Sequence, residues 1–358
     1  MGPLGSRLRR WLPVAAQYGA VLGTGTRGDR IRGSTRVLSS RRRLRFSEGG
    51  FVGSAQSPTV HLTKSSQARA PLICQRMSGG LGNQLFQASA AMSLSRRLGG
   101  QLSFDLTRYE RDKKRRFELA CFPTGASEWI PNAAARPRPA ELLKAIRHRR
   151  KLRWGWSGSV YRQPDFGYDP AFETLDGDVY LDGLFQSELY FLREENYVRQ
   201  VFDLEPFASA RVRDLAASWA GQDLASVHIR RGDYAENPKV LAVMGLLDDS
   251  YYERSINVLR QISPSLRLKI FSDDRDAAIR TCELHPGAEP VVGDTAIDDM
   301  YLMSKCRHHI IANSTFSWWG AWLGLPHGLT IAPRLHFSRE KLRSVFIHDH
   351  YPKGWLLI

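Results

Sequence analysis

The chain has 358 residues, 42% hydrophobic and 24% charged, with a formal net charge of +15. That composition excludes a collagenous, disulfide-dense or wholly disordered chain, and the length suits two domains with a core each. The charge alone would suggest nucleic acid or an anionic membrane, yet residues 1–70 carry twelve Arg and one Lys against Asp29 and Glu48, a net +11, which leaves only +4 over residues 71–358.

Residues 1–70 read as a disordered basic tail, rich in Arg and Ser and including the cluster Arg41–Arg45. The same composition fits an organelle transit segment, or a chain start assigned too far upstream. Gly23–Gly28 spells G-x-G-x-x-G but has no helix after it, so it is set aside as a nucleotide loop. The apolar stretch Trp11–Gly23 is shorter than the roughly 20 residues a membrane span needs. The expectation is a protein in the cytoplasm or at the cytoplasmic face of a membrane, with the tail as the candidate for targeting or peripheral membrane contact. Cys74, Cys121, Cys282 and Cys306 are far apart and demand no oxidising compartment. Cys306–His309 reads as a helix end running into a strand, in preference to a metal site.

From residue 71 the pattern becomes regular. It predicts a strand over Pro71–Met77, a loop over Ser78–Gly82, a helix from Asn83 to Leu98 stopped by Gly99 and Gly100, and a strand over Gln101–Asp105. Residues 111–165 are broken by Pro123, Pro131, Pro137 and Pro139, and their basic run Arg147–Arg153 reads as a solvated helix face. The second half predicts strands at Ala225–Arg230, Leu266–Ser272, Glu289–Val292, His308–Ala312 and Leu329–Ala332. Helices are predicted between them at Tyr251–Ile262, Arg275–Glu283, Ile297–Cys306 and Thr315–Leu323. Such alternation calls for parallel sheets with helices on both faces. The expected plan is α/β, with the tail over 1–70, one α/β domain over 71–215 and a second over 216–358, facing across a cleft. Ligands of such sheets bind beyond the carboxyl ends of the strands.

Four segments occupy that position. In Gly79–Gln84 (GGLGNQ), Gly80 and Gly82 let a backbone approach an anion at a helix start, while Asn83 is either a functional group or the helix cap. In His228–Tyr234 (HIRRGDY), Arg230 and Arg231 suit a phosphate, with Asp233 orienting a guanidinium, against the alternative of a structural salt-bridge network. At Phe271–Asp274, Asp273 and Asp274 are placed to accept from a base N–H, to hold a metal or to cap the next helix. Asp274–Asp276 and Asp176–Asp178 also satisfy D-x-D, a weak pattern. In Ile311–Leu323, Ser314, Thr315, Phe316 and Ser317 open a helix as a phosphate cradle, and Trp318 and Trp322 read as core rather than a sugar platform.

In this order, GGLGNQ, Leu181–Ser187 (LDGLFQS), HIRRGDY, Asp298–Cys306 (DDMYLMSKC) and ANSTFSWWGAWL resemble the α-1,2-fucosyltransferases of glycosyltransferase family 11. The resemblance covers about residues 72–335. It implies a GT-B-like fold of two Rossmann-type domains. It also implies an inverting transfer of L-fucose from GDP-β-L-fucose to the 2-hydroxyl of a terminal β-galactoside acceptor glycan, with no metal, no other cofactor and no nucleic-acid partner. By that resemblance Arg230 and Arg231 neutralise the diphosphate with support from His228 and Asp233, and Asp273 or Asp274 reads the guanine. Ser314–Ser317 line the nucleotide, and Asn83 faces the transferring sugar and the acceptor. His228, Asp233 and Glu188 stand as candidates for the base. Leu184 departs from the family, where a bulkier aromatic is usual, which bears on the acceptor more than on the donor.

Overall fold

The computed structural model describes residues 69–129, 155–232, 237–325, 327–345 and 347–358. The basic tail but for its last two residues, the Arg147–Arg153 run and Asp233 lie outside the described residues. The first series of elements is β1 (Leu72–Arg76), α1 (Leu81–Leu98), β2 (Gln101–Asp105), β3 (Ser127–Glu128), β4 (Ser159–Arg162) and β5 (Val179–Asp182). Two helices follow, α2 (Glu195–Val201) and α3 (Ala210–Ala217). The second series begins with β6 (Leu224–Ile229), α4 (Pro238–Met244), α5 (Asp249–Ile262), β7 (Arg267–Ser272), α6 (Arg275–Leu284) and β8 (Glu289–Pro290). It continues with α7 (Ala296–Ser304), β9 (His308–Ile310), α8 (Thr315–Trp322), β10 (Thr330–Ala332), α9 (Arg339–Leu342) and β11 (Leu356–Leu357).

The strands form two sheets, β3-β2-β1-β5-β4 and β11-β10-β9-β6-β7-β8, in which every paired neighbour is parallel. This is the expected α/β, GT-B-like plan. All six residues of β6 are buried, as a central strand covered on both faces requires. In the second sheet the chain runs outward from β6 through β7 to β8, then restarts on the other side of β6 with β9. The order therefore reverses between β6 and β9, and a crevice opens at their carboxyl ends.

One hydrophobic core joins the helices of both sheets. Phe86 of α1 lies 4.5 Å from the ring of Trp318 and 5.1 Å from that of Trp319, both on α8, and Phe191 stacks on Trp319 at 5.6 Å. The tryptophans of α8 are buried, which bears out their reading as core. Because α1 follows β1 and α8 follows β9, packing these helices brings the carboxyl ends of the two sheets together. A Cβ on Gly82 would stand 2.5 Å from the carbonyl carbon of Thr315 and 2.7 Å from the amide nitrogen of Phe316, so the two helix starts touch backbone to backbone.

The chain end reinforces this contact. Tyr168 N donates to Asp349 Oδ2 (2.6 Å), Ser187 Oγ donates to the Asp349 carbonyl (3.0 Å), and Trp318 Nε1 donates to the His350 carbonyl (3.0 Å). The residues after β10 thus return from the second sheet onto the loops that follow β4 and β5.

Three expectations need correction. The first helix begins at Leu81, not Asn83, because extended Gly80 takes the cap position and Asn83 moves into the first turn. Strand β9 ends at Ile310, since the Ile311 carbonyl is taken by the Tyr251 hydroxyl at 2.7 Å. Strands β4 and β5 were not expected; each is four residues long, too short to show a period. Gly82→Ala should lower unfolding stability by about 1–3 kcal/mol through overpacking of the α1–α8 contact. Denaturant titration measures it, and an unchanged midpoint would mean that the two helices separate without loss.

Candidate active site

The crevice between β6 and β9 is built from the residues that leave those strands. Arg230 and Arg231 follow β6 directly. Arg231 N donates to Asp273 Oδ1 (2.9 Å), and Arg230 Nη1 lies 3.0 Å from Asp273 Oδ2. One carboxylate at the end of β7 therefore orients both arginines, and charged hydrogen bonds of this kind hold a guanidinium in a fixed direction. Arg231 also pairs with Asp249 at the start of α5. Its Nε is buried and has no hydrogen-bond partner among the described residues. Asp273 is thus committed to the arginines, and Asp274 caps α6 by accepting from Ala277 N (3.0 Å).

Across the crevice, α8 starts at Thr315 with Ser314 as its cap, Ser314 Oγ accepting from Phe316 N at 3.3 Å. Ser317 is buried and donates back to the Ser314 carbonyl (3.4 Å). The serines do ordinary capping work, yet the same geometry aims the start of an eight-residue helix at the crevice that holds Arg230 and Arg231. A helix start carries partial positive charge and unpaired N–H groups, so arginines and helix together form an anion site. His228, next to last in the buried run of β6, has its ring 5.8 Å from that of Phe316. Burial, with Arg230 nearby, pushes its pKa down to about 3, so it is a neutral imidazole; its Nδ1 has no hydrogen-bond partner among the described residues.

Asn83 sits where the sheets meet. Its Oδ1 accepts from Thr315 Oγ1 (3.0 Å) on α8 and from Gln186 Nε2 (2.8 Å) on the loop after β5. The Gln186 carbonyl in turn lies 2.8 Å from His350 Nδ1 of the returning chain end. Asn83 is therefore no helix cap but a junction of three segments far apart in sequence.

The glycine loop is held from behind by residues that motif reading passed over. Gln84 Nε2 donates to the carbonyls of Gly79 (3.0 Å) and Arg116 (2.8 Å), and its Oε1 accepts from Glu118 N (2.8 Å). Gln87 Oε1 accepts from Ser78 N (2.8 Å), and the Tyr109 hydroxyl donates to the Gly79 carbonyl (3.0 Å). Gly79 has φ +79°, and a Cβ there would meet Asn83 Nδ2 at 2.4 Å, so both conformation and space require glycine. What the bare face of Gly82 admits is the backbone of α8, and a Cβ on Gly80 would stand 3.4 Å from Arg115 Nη1. Gln84 is legible in hindsight as a polar residue on an otherwise apolar helix face; Glu118 carries no sequence signal.

Other candidates lie elsewhere. Glu188 accepts from Trp322 Nε1 (3.1 Å) at the far end of α8. Asp178 accepts from Leu72 N (2.8 Å) and fixes the start of β1. His308 and His309 are strand residues, with His309 Nδ1 2.8 Å from Ser226 Oγ. Among the described residues no helix is long and apolar enough to cross a membrane.

Residues 172–358 match the model of glycosyl transferase family 11. An α-1,2-colitosyltransferase of Escherichia coli is 32% identical over 299 residues, covering 80% of this chain and 99% of that protein. The chain belongs to glycosyltransferase family 11. The O-antigen biosynthesis glycosyltransferase WbnK of Escherichia coli is 30% identical over 298 residues, covering 73% of this chain and 94% of that one. Among solved structures, NodZ α-1,6-fucosyltransferase soaked with GDP-fucose is 16% identical with a TM-score of 0.41, covering 72% of this chain and 93% of that chain. The family 11 chain described here is accordingly a fucosyltransferase-type glycosyltransferase.

Its buried histidines make stability depend on pH. Burial holds His228 and His309 down to about 3 and His350 to about 4, with His336 also well below the usual value. Each folded value lies below the unfolded one of about 6.5, so their contribution is complete above that pH. It is lost toward acid at roughly 1.4 kcal/mol per pH unit per histidine. Denaturant unfolding between pH 7.5 and 5.5 should show stability falling with acid, and His228→Gln should remove about one proton from that slope. Stability flat over this range would contradict burial of the neutral rings.

Proposed function

We propose that this enzyme transfers L-fucose from GDP-β-L-fucose to the 2-hydroxyl of a terminal β-galactoside, with inversion and without a metal. The observation that carries the reading is the doubled arginine after β6, oriented by Asp273 and set against the start of α8 at the reversal point of the second sheet. As the bond from the anomeric carbon to the β-phosphate oxygen breaks, negative charge grows on GDP. Arg230, Arg231 and the first N–H groups of α8 stabilise that charge as fixed donors, the role a divalent cation fills in other transferases. Asn83, bonded to both halves of the site, stands on the acceptor side of the leaving diphosphate. Asp233 and the guanine contacts complete the reading by family resemblance.

The related colitosyltransferase favours one competing donor. Colitose is L-fucose without its 3-hydroxyl, so the two donors differ by one group, and the shared α-1,2 linkage in that relative's name supports the proposed acceptor position. Incubation with lactose and either GDP-fucose or GDP-colitose, in chelator, should give an α-1,2-linked trisaccharide most rapidly from GDP-fucose. Faster transfer from GDP-colitose would reassign the donor, and complete loss in chelator would contradict the metal-free mechanism. Arg231→Ala should lower kcat/KM by about 10²–10³-fold with unfolding unchanged.

A further inference from the structure

The loop after β5 carries backbone strain beside the junction of the two sheets. Phe185 is fully buried yet has φ +53°, a left-handed conformation that a bulky side chain adopts only when its surroundings hold it there. Two restraints do so. Gln163, the residue after β4, accepts through Oε1 from Leu184 N and Phe185 N, each at 2.9 Å. The Phe185 ring packs among those of Tyr161, Phe172 and Tyr190, at 6.3, 5.8 and 5.0 Å. The next residue is Gln186, whose carbonyl lies 2.8 Å from His350 Nδ1 of the returning chain end. Its backbone is thus held from both sides.

The buried Gln186 side chain extends from this fixed point to α1, where Nε2 donates to Asn83 Oδ1 at 2.8 Å. Thr315 Oγ1, at the start of α8, donates to the same oxygen at 3.0 Å. A carbonyl oxygen has two lone pairs, so Asn83 Oδ1 is fully used. Turning the amide over would set its NH₂ against the NH₂ of Gln186. Asn83 Nδ2 is therefore kept beside the bare face of Gly79, in the space a Cβ would fill, and makes no hydrogen bond among the described residues. Gln186 Oε1 is buried without a partner among the described residues. An unpaired buried oxygen and a left-handed phenylalanine are both unfavourable, and their persistence at one turn is the mark of a chain held in one arrangement for use.

We propose that Gln186 is a positioning residue of the transfer, holding the Asn83 amide so that Nδ2 donates to an oxygen of the acceptor galactoside. The inference deepens the reading of Asn83 as a group on the acceptor side and rests on it. Gln186 reaches the substrate only through Asn83, since its own amide is sealed from the crevice.

The rival role is a tie that merely joins the loop after β5 to α1, and two variants separate the roles. Gln186→Met keeps the length and loses the donor. It should lower kcat/KM for lactose by about 10–10²-fold, the loss expected when a hydrogen bond that orients a reacting group is removed. KM for GDP-fucose should stay at the wild-type value. Added to Asn83→Ala, the same substitution should change kcat/KM by less than about twofold, because residues that act as a unit do not add. Gln186→Glu keeps the shape but donates to Asn83 only when its carboxyl is protonated. Burial raises that carboxyl above the ordinary value of about 4.3, so activity relative to wild type should climb toward acid, a trend absent from Gln186→Met. Unfolding midpoints are measured alongside. Asn83→Asp, which keeps the held oxygen and removes the donor, supplies the test if a Gln186 variant fails to fold, and should be as slow as Asn83→Ala. Undiminished activity of Gln186→Met or Asn83→Asp would overturn the proposal. So would additive losses with Asn83→Ala, a raised KM for GDP-fucose, or no gain toward acid in Gln186→Glu. Wild-type enzyme inert toward every GDP-sugar would instead refute the functional reading, and the proposal with it.

Discussion

The contact on which the rest of the site depends is the meeting of two helix starts. With no side chain on Gly82, the first turn of α1 rests directly on the backbone of Thr315 and Phe316. Two positive helix ends repel when brought together, so the contact needs compensation. The apolar seam of Phe86, Trp318 and Trp319 supplies packing, and Asn83 ties α1 to the hydroxyl of Thr315. The site is thereby divided, with the start of α8 and the two arginines on the second sheet and the glycine loop on the first.

This division explains why so little net charge suffices. The folded part carries only +4, and several of its arginines are paired at the surface, where an ion pair contributes little. Arg230 and Arg231 differ in place rather than number. They stand at a strand-order reversal, are oriented by a half-buried carboxylate, and lie beside a helix start. That placement suits the diphosphate of the proposed donor, whereas a nucleic acid would require charge spread over a face.

Much of this was legible in sequence because parallel sheets put chemistry at one kind of place. Alternating strands and helices located the strand ends, and the residues after β1, β6, β7 and β9 stood out as polar or glycine-rich. What could not be read was which of these groups are used up in structure. Asp273 looks like a free acceptor until it is seen holding Arg231 N, and Asn83 looks like a cap until Gly80 takes that position. Glu118 sits in a run of basic residues with no spacing to mark it. Its place depends on the hydrogen bond that its backbone N–H donates to a glutamine 34 residues away, a long-range constraint invisible to periodicity. The chain end was equally hidden, since nothing local in His350 shows that it lies against Gln186.

The central claim is that anion binding belongs to the second sheet and not to the glycine loop, although that loop has the more familiar look of a phosphate cradle. A crystal structure with GDP tests this most directly. The expected result is the β-phosphate within hydrogen-bond distance of Arg230 or Arg231 and of the first amides of α8. A diphosphate seated on Gly79–Gly82 would contradict it.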